Sequence, residues 1–492
     1  MNKGMRIGLT TAETAQVVTA VVLLVLAGPA FNANAQTVTV LYTFGNTPND
    51  GVNPGAGLVQ GSDGNFYGTT YYGGTSTNCL GGCGTVFRIS PSGNYSNLYS
   101  FNFTDGFRPN GLVEGGDGNF YGTTWGGGTS TYCTDQGCGT VFRISPSGNC
   151  TSLYSFGASI TGGENPGASL VEGRDGNFYG TTVQGGEGST VFRISPTGSF
   201  SNLYTMNGAI DGCYPEGPLV QGSGGNLYGT TSACGSNFSS GNLFRISPDG
   251  SYANLHFFKS TVNGYGPYGG LVQGSDGNFY GTTEAGGTAT DNDYEAWGTV
   301  FRFSPSGTFT SLYSFAGPPN DGGYPKAGLV QASDGNFYGT TANGTVFRIG
   351  PSGSYTNLYF FKFSDGTDPQ AVLVQGSDGN FYGTTAQGVE TNFNQLDGQG
   401  YGSVFKLTVP LNPLPNQISS AQVDSSGTNL VFNIPSVAYE TYQLQFSPSM
   451  NPTNWSNISG AFVSNSIGAL LTLTNFGGAV GPQGFYRFAI TP

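Results

Sequence analysis

Residues 58–70 read Leu-Val-Gln-Gly-Ser-Asp-Gly-Asn-Phe-Tyr-Gly-Thr-Thr. The closing word of that stretch, Asn-Phe-Tyr-Gly-Thr-Thr or a near match, begins at Asn65, Asn119, Asn177, Asn226, Asn278, Asn336 and Asn380, at intervals of 54, 58, 49, 52, 58 and 44 residues. Three other words keep step with it. Leu-Val begins at Leu58, Leu112, Leu170, Leu219, Leu271, Leu329 and Leu373. Val-Phe-Arg or a variant centres on Phe87, Phe142, Phe192, Phe244, Phe301, Phe347 and Phe405. Leu-Tyr-x-Phe or a variant begins at Leu41, Leu98, Leu153, Leu203, Leu255, Leu312 and Leu358. All four words are short, rich in β-formers and bounded by Ser-Asp-Gly-Asn, Ser-Pro-Ser-Gly or Asp-Gly-x-x-Pro. One repeat is therefore four strands: A around Leu58-Val59, B at 65–70, C at 85–90 and D at 95–101. Seven such units predict a seven-bladed β-propeller.

The order of the words predicts how the ring closes. The chain opens with a D word, Leu41-Tyr42-Thr43-Phe44, before any A strand, and the seventh repeat ends on its C word, Val404-Phe405-Lys406-Leu407. The N-terminal strand should complete the last blade. After Pro410 the words stop. Residues 410–416 read as a stiff linker. Residues 417–492 carry alternating runs at 429–434, 441–446, 469–473 and 485–490 with Trp455, the pattern of a small C-terminal β-sandwich.

Composition narrows the functional classes. Of 492 residues, 84 are glycine and 9% are charged, against usual shares of about 7% and about 25%. The chain is too aromatic and too weakly charged for disorder. The net charge of −13 and the scattered basic residues exclude a phosphate-binding stripe, so no nucleic-acid partner is expected. A single histidine, His256, removes most His-based catalysis and any multi-His metal centre; it stands where other repeats have tyrosine. Residues 1–35 read as an export signal, with Lys3 and Arg6, the apolar run Val17 to Leu26 and the Ala33-Asn34-Ala35 cleavage pattern. Cleavage there removes Lys3, Arg6 and Glu13 and leaves a charge of −14. No other segment is apolar enough to span a membrane. The expected destination is extracellular, cell-surface or periplasmic, and the expected state a monomer. In an oxidising compartment, Cys79 with Cys83, Cys133 with Cys138 and Cys213 with Cys234 are candidate disulfides closing loops. Cys150, aligned with Tyr95, Phe200 and Tyr252, is left over as a small hydrophobe.

The unit GLVQGSDGNFYGTT…GTVFRISPSGNYSNLYSF resembles the Gloeo_Verruco (GloVer) tandem repeat of exported, choice-of-anchor bacterial proteins, over about residues 37–409. The resemblance implies secretion and varied C-terminal tails, and it implies no reaction. The usual membrane-sorting tail is not expected here, because no apolar helix with a basic stop follows the repeats. The blade plan is also similar to NHL-type and gluconolactonase-type propellers, at the level of fold alone.

Strand order places the A–B and C–D turns on one face and the B–C and D–A loops on the other. The turns vary little, whereas the B–C loops vary in length and content, which is where binding sites concentrate. Those loops carry Tyr71, Tyr72, Trp125, Tyr132, Tyr294 and Trp297, rings suited to stacking on sugars or to packing under their own glycine-rich loops. Asp50, Asp105, Asp211, Asp321 and Asp365 recur in Asp-Gly-x-x-Pro and read as turn caps before calcium ligands; Asp63 and its equivalents in the A–B turns read the same way. The base of strand C, from Arg88 to Lys406, reads as an ion pair or carbonyl clamp made once per blade. No nucleophile word, metal or cofactor motif stands out. The one dense acidic cluster is Glu284, Asp291, Asp293 and Glu295. The expectation is an exported, non-catalytic binding module whose partner is a glycan or a surface protein. The alternatives are a glycosidase or lyase acting on polysaccharide through Glu284 or its neighbours, and a structural envelope protein.

Overall fold

The computed structural model describes residues 36–409 apart from 46, 48, 134–135, 158–161, 186, 237–239, 260–262, 289–295 and 389–400, and, outside that span, only strands. Gln36–Ala332 with Asn336–Val409 forms one compact unit. In blade 1, strand A is Val59–Gln60, B Phe66–Thr70, C Thr85–Ile89 and D Tyr95–Ser100, paired antiparallel in the order A-B-C-D. Six more sheets repeat the plan, their B strands at Phe120–Gly126, Phe178–Gln184, Leu227–Thr231, Phe279–Thr283, Phe337–Thr341 and Phe381–Thr385. Thr37–Thr43 pairs with Ser403–Thr408, from Thr37 opposite Thr408 to Thr43 opposite Ser403, and so supplies strand D of the seventh blade. The expected clasp is present.

Each letter of the repeated word has a physical task. Phe66–Thr70 is buried throughout. Gly68 carries no side chain because a Cβ there would lie 2.5 Å from Phe87 and 2.7 Å from Leu58. The turn aspartate forms a clasp with its own strand: Asp63 accepts from the Asn65 amide at 3.0 Å, Asn65 Nδ2 at 2.8 Å and Tyr67 Oη at 2.8 Å. Burial alone would raise the Asp63 pKa, but these hydrogen bonds outweigh it and hold the carboxyl below its ordinary range. The same clasp joins Asp117 to Tyr121, Asp175 to Tyr179, Asp276 to Tyr280 and Asp378 to Tyr382. Arg88 stands opposite Tyr67 in the ladder, and its charge acts on Asp63. The ion pair expected once per blade is not found: the one ion pair among the described residues is Lys326 with Glu284, and Arg88 instead faces Tyr67 and acts on Asp63 through its charge.

Two residues of strand B bind each blade to the next. Tyr67 stacks on Phe120 at 4.0 Å, and the series runs round the ring to Tyr382 on Phe66, also 4.0 Å. Blade 4 interrupts it with Leu227. Thr69 Oγ1 donates to Asn110 O at 3.0 Å; its six equivalents do likewise, ending with Thr384 to Ala56 at 3.3 Å. Buried aromatic pairs contribute about 0.5–1.5 kcal/mol each beyond the area they bury. The core is thus a series of aromatic clusters between blades, and the cluster of Phe44, Leu58, Phe66, Phe87 and Tyr382 joins the last blade to the first.

The D–A aspartates are caps. Asp50 accepts from Tyr42 Oη at 2.8 Å, Tyr95 Oη at 3.0 Å and the Gly45 amide at 3.0 Å. Asp211, Asp321 and Asp365 each hold the tyrosine of the preceding strand D in the same way, as does Asp105. His256 replaces that tyrosine and stacks on Phe309 at 4.1 Å. The three disulfides Cys79–Cys83, Cys133–Cys138 and Cys213–Cys234 are formed, and Cys150 is free and half-buried.

Beyond residue 409, Ser420–Val423, Leu430–Pro435 and Leu470–Asn475 form one antiparallel sheet, and Thr441–Ser447 with Gly484–Thr491 forms the centre of a second. The fold class is an all-β propeller followed by a small two-sheet unit. Met5–Ile7 pairs with Gly484–Thr491; the rest of the expected leader, and the linker, lie outside the described residues. No helix among the described residues is long and apolar enough to cross a membrane.

Candidate functional site

Two positions per blade furnish one end of the channel. The first follows the Thr-Thr that ends strand B. The second follows the D–A proline, in the word Pro-x-Gly or Pro-x-Ala. The proline is constant, and x is Gly55, Asn110, Gly167, Glu216, Tyr268, Lys326 and Gln370. The residue before each proline is held in the left-handed region: Asn53, Arg108, Asn165, Tyr214, Gly266, Tyr324 and Asp368, at φ between 53° and 65°. Its amide is tied to the end of the neighbouring B–C loop, as Arg108 N donates to Cys83 O at 3.1 Å and Tyr324 N to Trp297 O at 2.8 Å. This turn swings residue x toward the axis.

All seven x residues, with Tyr71, Tyr72, Arg108, Trp125, Val183 and Glu284, line an open recess of about 630 Å³. That volume lies within the usual range for ligand pockets, about 300–1,000 Å³. Below it runs a narrower bore of about 250 Å³, lined by the segments entering strand A. Those segments close on each other through glycine: a Cβ on Gly269 would lie 2.7 Å from Ala327 O, and one on Gly328 2.7 Å from Gly270 O.

The walls differ. Blades 1 and 2 supply an aromatic wall around a cation. Blade 2 lacks one residue between its D–A proline and Leu112, and its strand A runs unbroken from Phe107 to Glu114. Strand B there extends to Gly126, pairing Gly126 with Phe107 and Thr124 with Pro109. Arg108 is thereby set beside Trp125. Its guanidinium carbon lies 5.0 Å from the Tyr72 ring centre, 4.8 Å from Phe107 and 5.7 Å from Trp125, and Nη2 donates to Tyr72 Oη at 2.5 Å. Burial raises the pKa of Tyr71, with the Arg108 charge opposing. Blades 4 to 6 supply the polar wall. Lys326 Nζ lies 3.3 Å from Glu284 Oε1. Burial raises the Glu216 pKa, Ser232 opposes the rise through a hydrogen bond, and the Glu284 charge adds to it.

Of the six rings singled out in the sequence, the structure brings together Tyr71, Tyr72 and Trp125. Tyr132 is 51% exposed and lines a separate hollow with Thr129 and Ser130. Trp297 packs against the D–A loop that leads into blade 6: it lies 5.0 Å from the Tyr324 ring, and a Cβ on Gly323 would meet it at 2.8 Å. Tyr294, Asp291, Asp293 and Glu295 lie outside the described residues. Arg108, Glu216, Tyr268, Lys326 and Gln370 were not anticipated. Their signal was legible as the one variable letter beside each constant D–A proline, or, for Arg108, the letter before it.

The family model described as the Gloeobacter/Verrucomicrobia repeat matches residues 27–189, 134–344 and 255–418. No curated protein matches the chain. Among solved structures the chain is similar to a fungal alcohol oxidase of the AA5 family in complex with copper, at 13% identity over 92% of each chain and a TM-score of 0.50. It is also similar to a surface component of the type-IX secretion system of Porphyromonas gingivalis, at 14% identity over 87% of this chain and 56% of that one, TM-score 0.44. A gluconolactonase from Xanthomonas campestris aligns at 12% identity over 77% of this chain and 91% of that one, TM-score 0.40. Identities this low speak to fold alone. With its seven words, its ring of blades and a family match running from residue 27 to residue 418, the chain belongs to the Gloeobacter/Verrucomicrobia repeat family.

Proposed function

We propose that the propeller is an exported binding module that takes glycans at the recess, without catalysing a reaction on them. The observation that carries this reading is the convergence of Tyr71, Tyr72 and Trp125 on one wall of an open recess whose other wall is polar. Sugar rings offer apolar C–H faces to aromatic rings and hydroxyls to polar groups of the far wall such as Glu216 and Lys326. Export is supported by the leader pattern and by three disulfides, which persist in oxidising compartments. A second reading, glycoside cleavage on the same face, draws on Glu216 and Glu284, two carboxyl groups in one recess with different surroundings.

The test is depletion of the protein from solution by a panel of insoluble polysaccharides. Retention by a subset, weakened about tenfold or more in Trp125→Ala and unchanged in Tyr132→Ala, supports the proposal. Retention that ignores Trp125, or none at all, overturns it. Release of soluble sugar, abolished in Glu216→Gln, moves the reading to an enzyme.

A further inference from the structure

We propose that the glycan is anionic, with its carboxylate or sulfate group held by the guanidinium of Arg108 between Tyr72 and Trp125. The inference rests on the glycan reading and names the class of sugar. Arg108 is the one cation among the seven residues that precede the D–A prolines, the others being asparagine, tyrosine, glycine or aspartate. It keeps φ at +53°, a region that asparagine, aspartate and glycine enter far more readily than arginine. Of its five guanidinium donors the described residues engage one, through Tyr72 Oη, and Nε is buried with no partner. The described residues give it no carboxylate either: their one ion pair is Lys326 with Glu284, across the recess. Three aromatic rings shield the cation from water, which strengthens its interaction with an incoming anion. A planar fork of donors matches a carboxylate or sulfate oxygen pair, and no neutral sugar offers that match. On the far wall the other cation lining the recess, Lys326, is paired with Glu284, which leaves Arg108 as the cation open to an anion.

The probe is affinity electrophoresis of the propeller-bearing chain in gels holding polygalacturonate, a sulfated dextran or unmodified dextran. A chain of charge −14 is repelled by polyanions in general, so retardation reports a site. The expected result is retardation by the polyuronate or the sulfated polymer and none by unmodified dextran, weakened about tenfold or more in Arg108→Gln and less in Arg108→Lys. Comparison of the two charged gels separates a carboxylate from a sulfate as the preferred group. Should Arg108→Gln fail to fold, Arg108→Lys carries the test, because it keeps the charge and loses the fork. Retardation by a neutral polymer that Arg108→Lys and Arg108→Gln leave unchanged overturns this inference and leaves the glycan reading standing. No retardation by any polymer, together with no retention in the depletion panel, overturns both.

Discussion

At the scale of single residues, the repeat is informative where it breaks. His256 occupies a tyrosine position in strand D of blade 4, and its ring keeps the stacking, 4.1 Å from Phe309. The replacement leaves Nε2 buried without a partner among the described residues. Burial pushes its pKa down to about 4 from 6.5. The folded state thus resists a proton that the unfolded chain accepts, so stability from this group is complete above pH 6.5 and is lost as pH falls toward 4. His256→Phe keeps the ring and removes the orphaned nitrogen. It should stabilise the protein by about 1 kcal/mol at pH 7.5 and by more at pH 5; thermal melts at the two pH values check this, and equal gains at both would contradict the burial argument. The tyrosine lineage of this position was legible from the alignment of words. The missing hydrogen bond was half-legible too, because the next D–A word opens with Asn263 where five others carry the capping aspartate.

At the scale of elements, strands and turns were legible and loop interiors were only half so. The words of strands B and C pair in the register their residues require, glycine opposite phenylalanine and tyrosine opposite arginine. In the B–C loops, Trp125 and Trp297 looked alike as sequence and differ in structure. Trp297 meets Gly317 and Gly323, which leave it room to pack inward, whereas Trp125 lies on an extended hairpin with its ring 5.7 Å from the Arg108 guanidinium carbon. Such a distinction lies in contacts between segments far apart in the chain, which no local pattern records. The Cys79–Cys83 loop supports the same wall: Gly73 N donates to Gly81 O at 2.7 Å, and Cys83 O receives the Arg108 amide. Replacing both cysteines by serine should cost about 2 kcal/mol of stability, as expected for so short a closed loop. It should also weaken glycan retention severalfold, because Tyr72 and Arg108 lose a fixed support. Unfolding in urea and the depletion assay report the two effects separately; stability lost with retention intact would detach the loop from the site.

At the scale of the molecule, closure of the ring was legible from word order alone, since a D word before the first A strand has one place to go. The structure adds the side-chain ring that makes closure specific, with Tyr382 stacked on Phe66 and Thr384 bonded to Ala56 across the seam. Deleting residues 36–43 would expose the free edge of Ser403–Thr408, an open invitation to pair with another chain. The expected outcome is a lower melting temperature and association seen in size-exclusion chromatography; a monomer of unchanged stability would show that the clasp is dispensable. The recess, in turn, exists only in the closed ring, since each of the seven blades contributes a residue to it. The identity of the ligand is a property of that assembled surface, which is why the repeat words announce a site without naming what it binds. The most direct measurement uses the indole at its wall. The chain has three tryptophans, so Trp297→Phe with Trp455→Phe leaves Trp125 as the sole reporter. Titration with soluble oligosaccharides cut from a retained polymer should shift Trp125 emission saturably, with a midpoint matching that of the depletion assay. Retention of the polymer with unchanged Trp125 emission would contradict the account and place the sugar elsewhere on the ring.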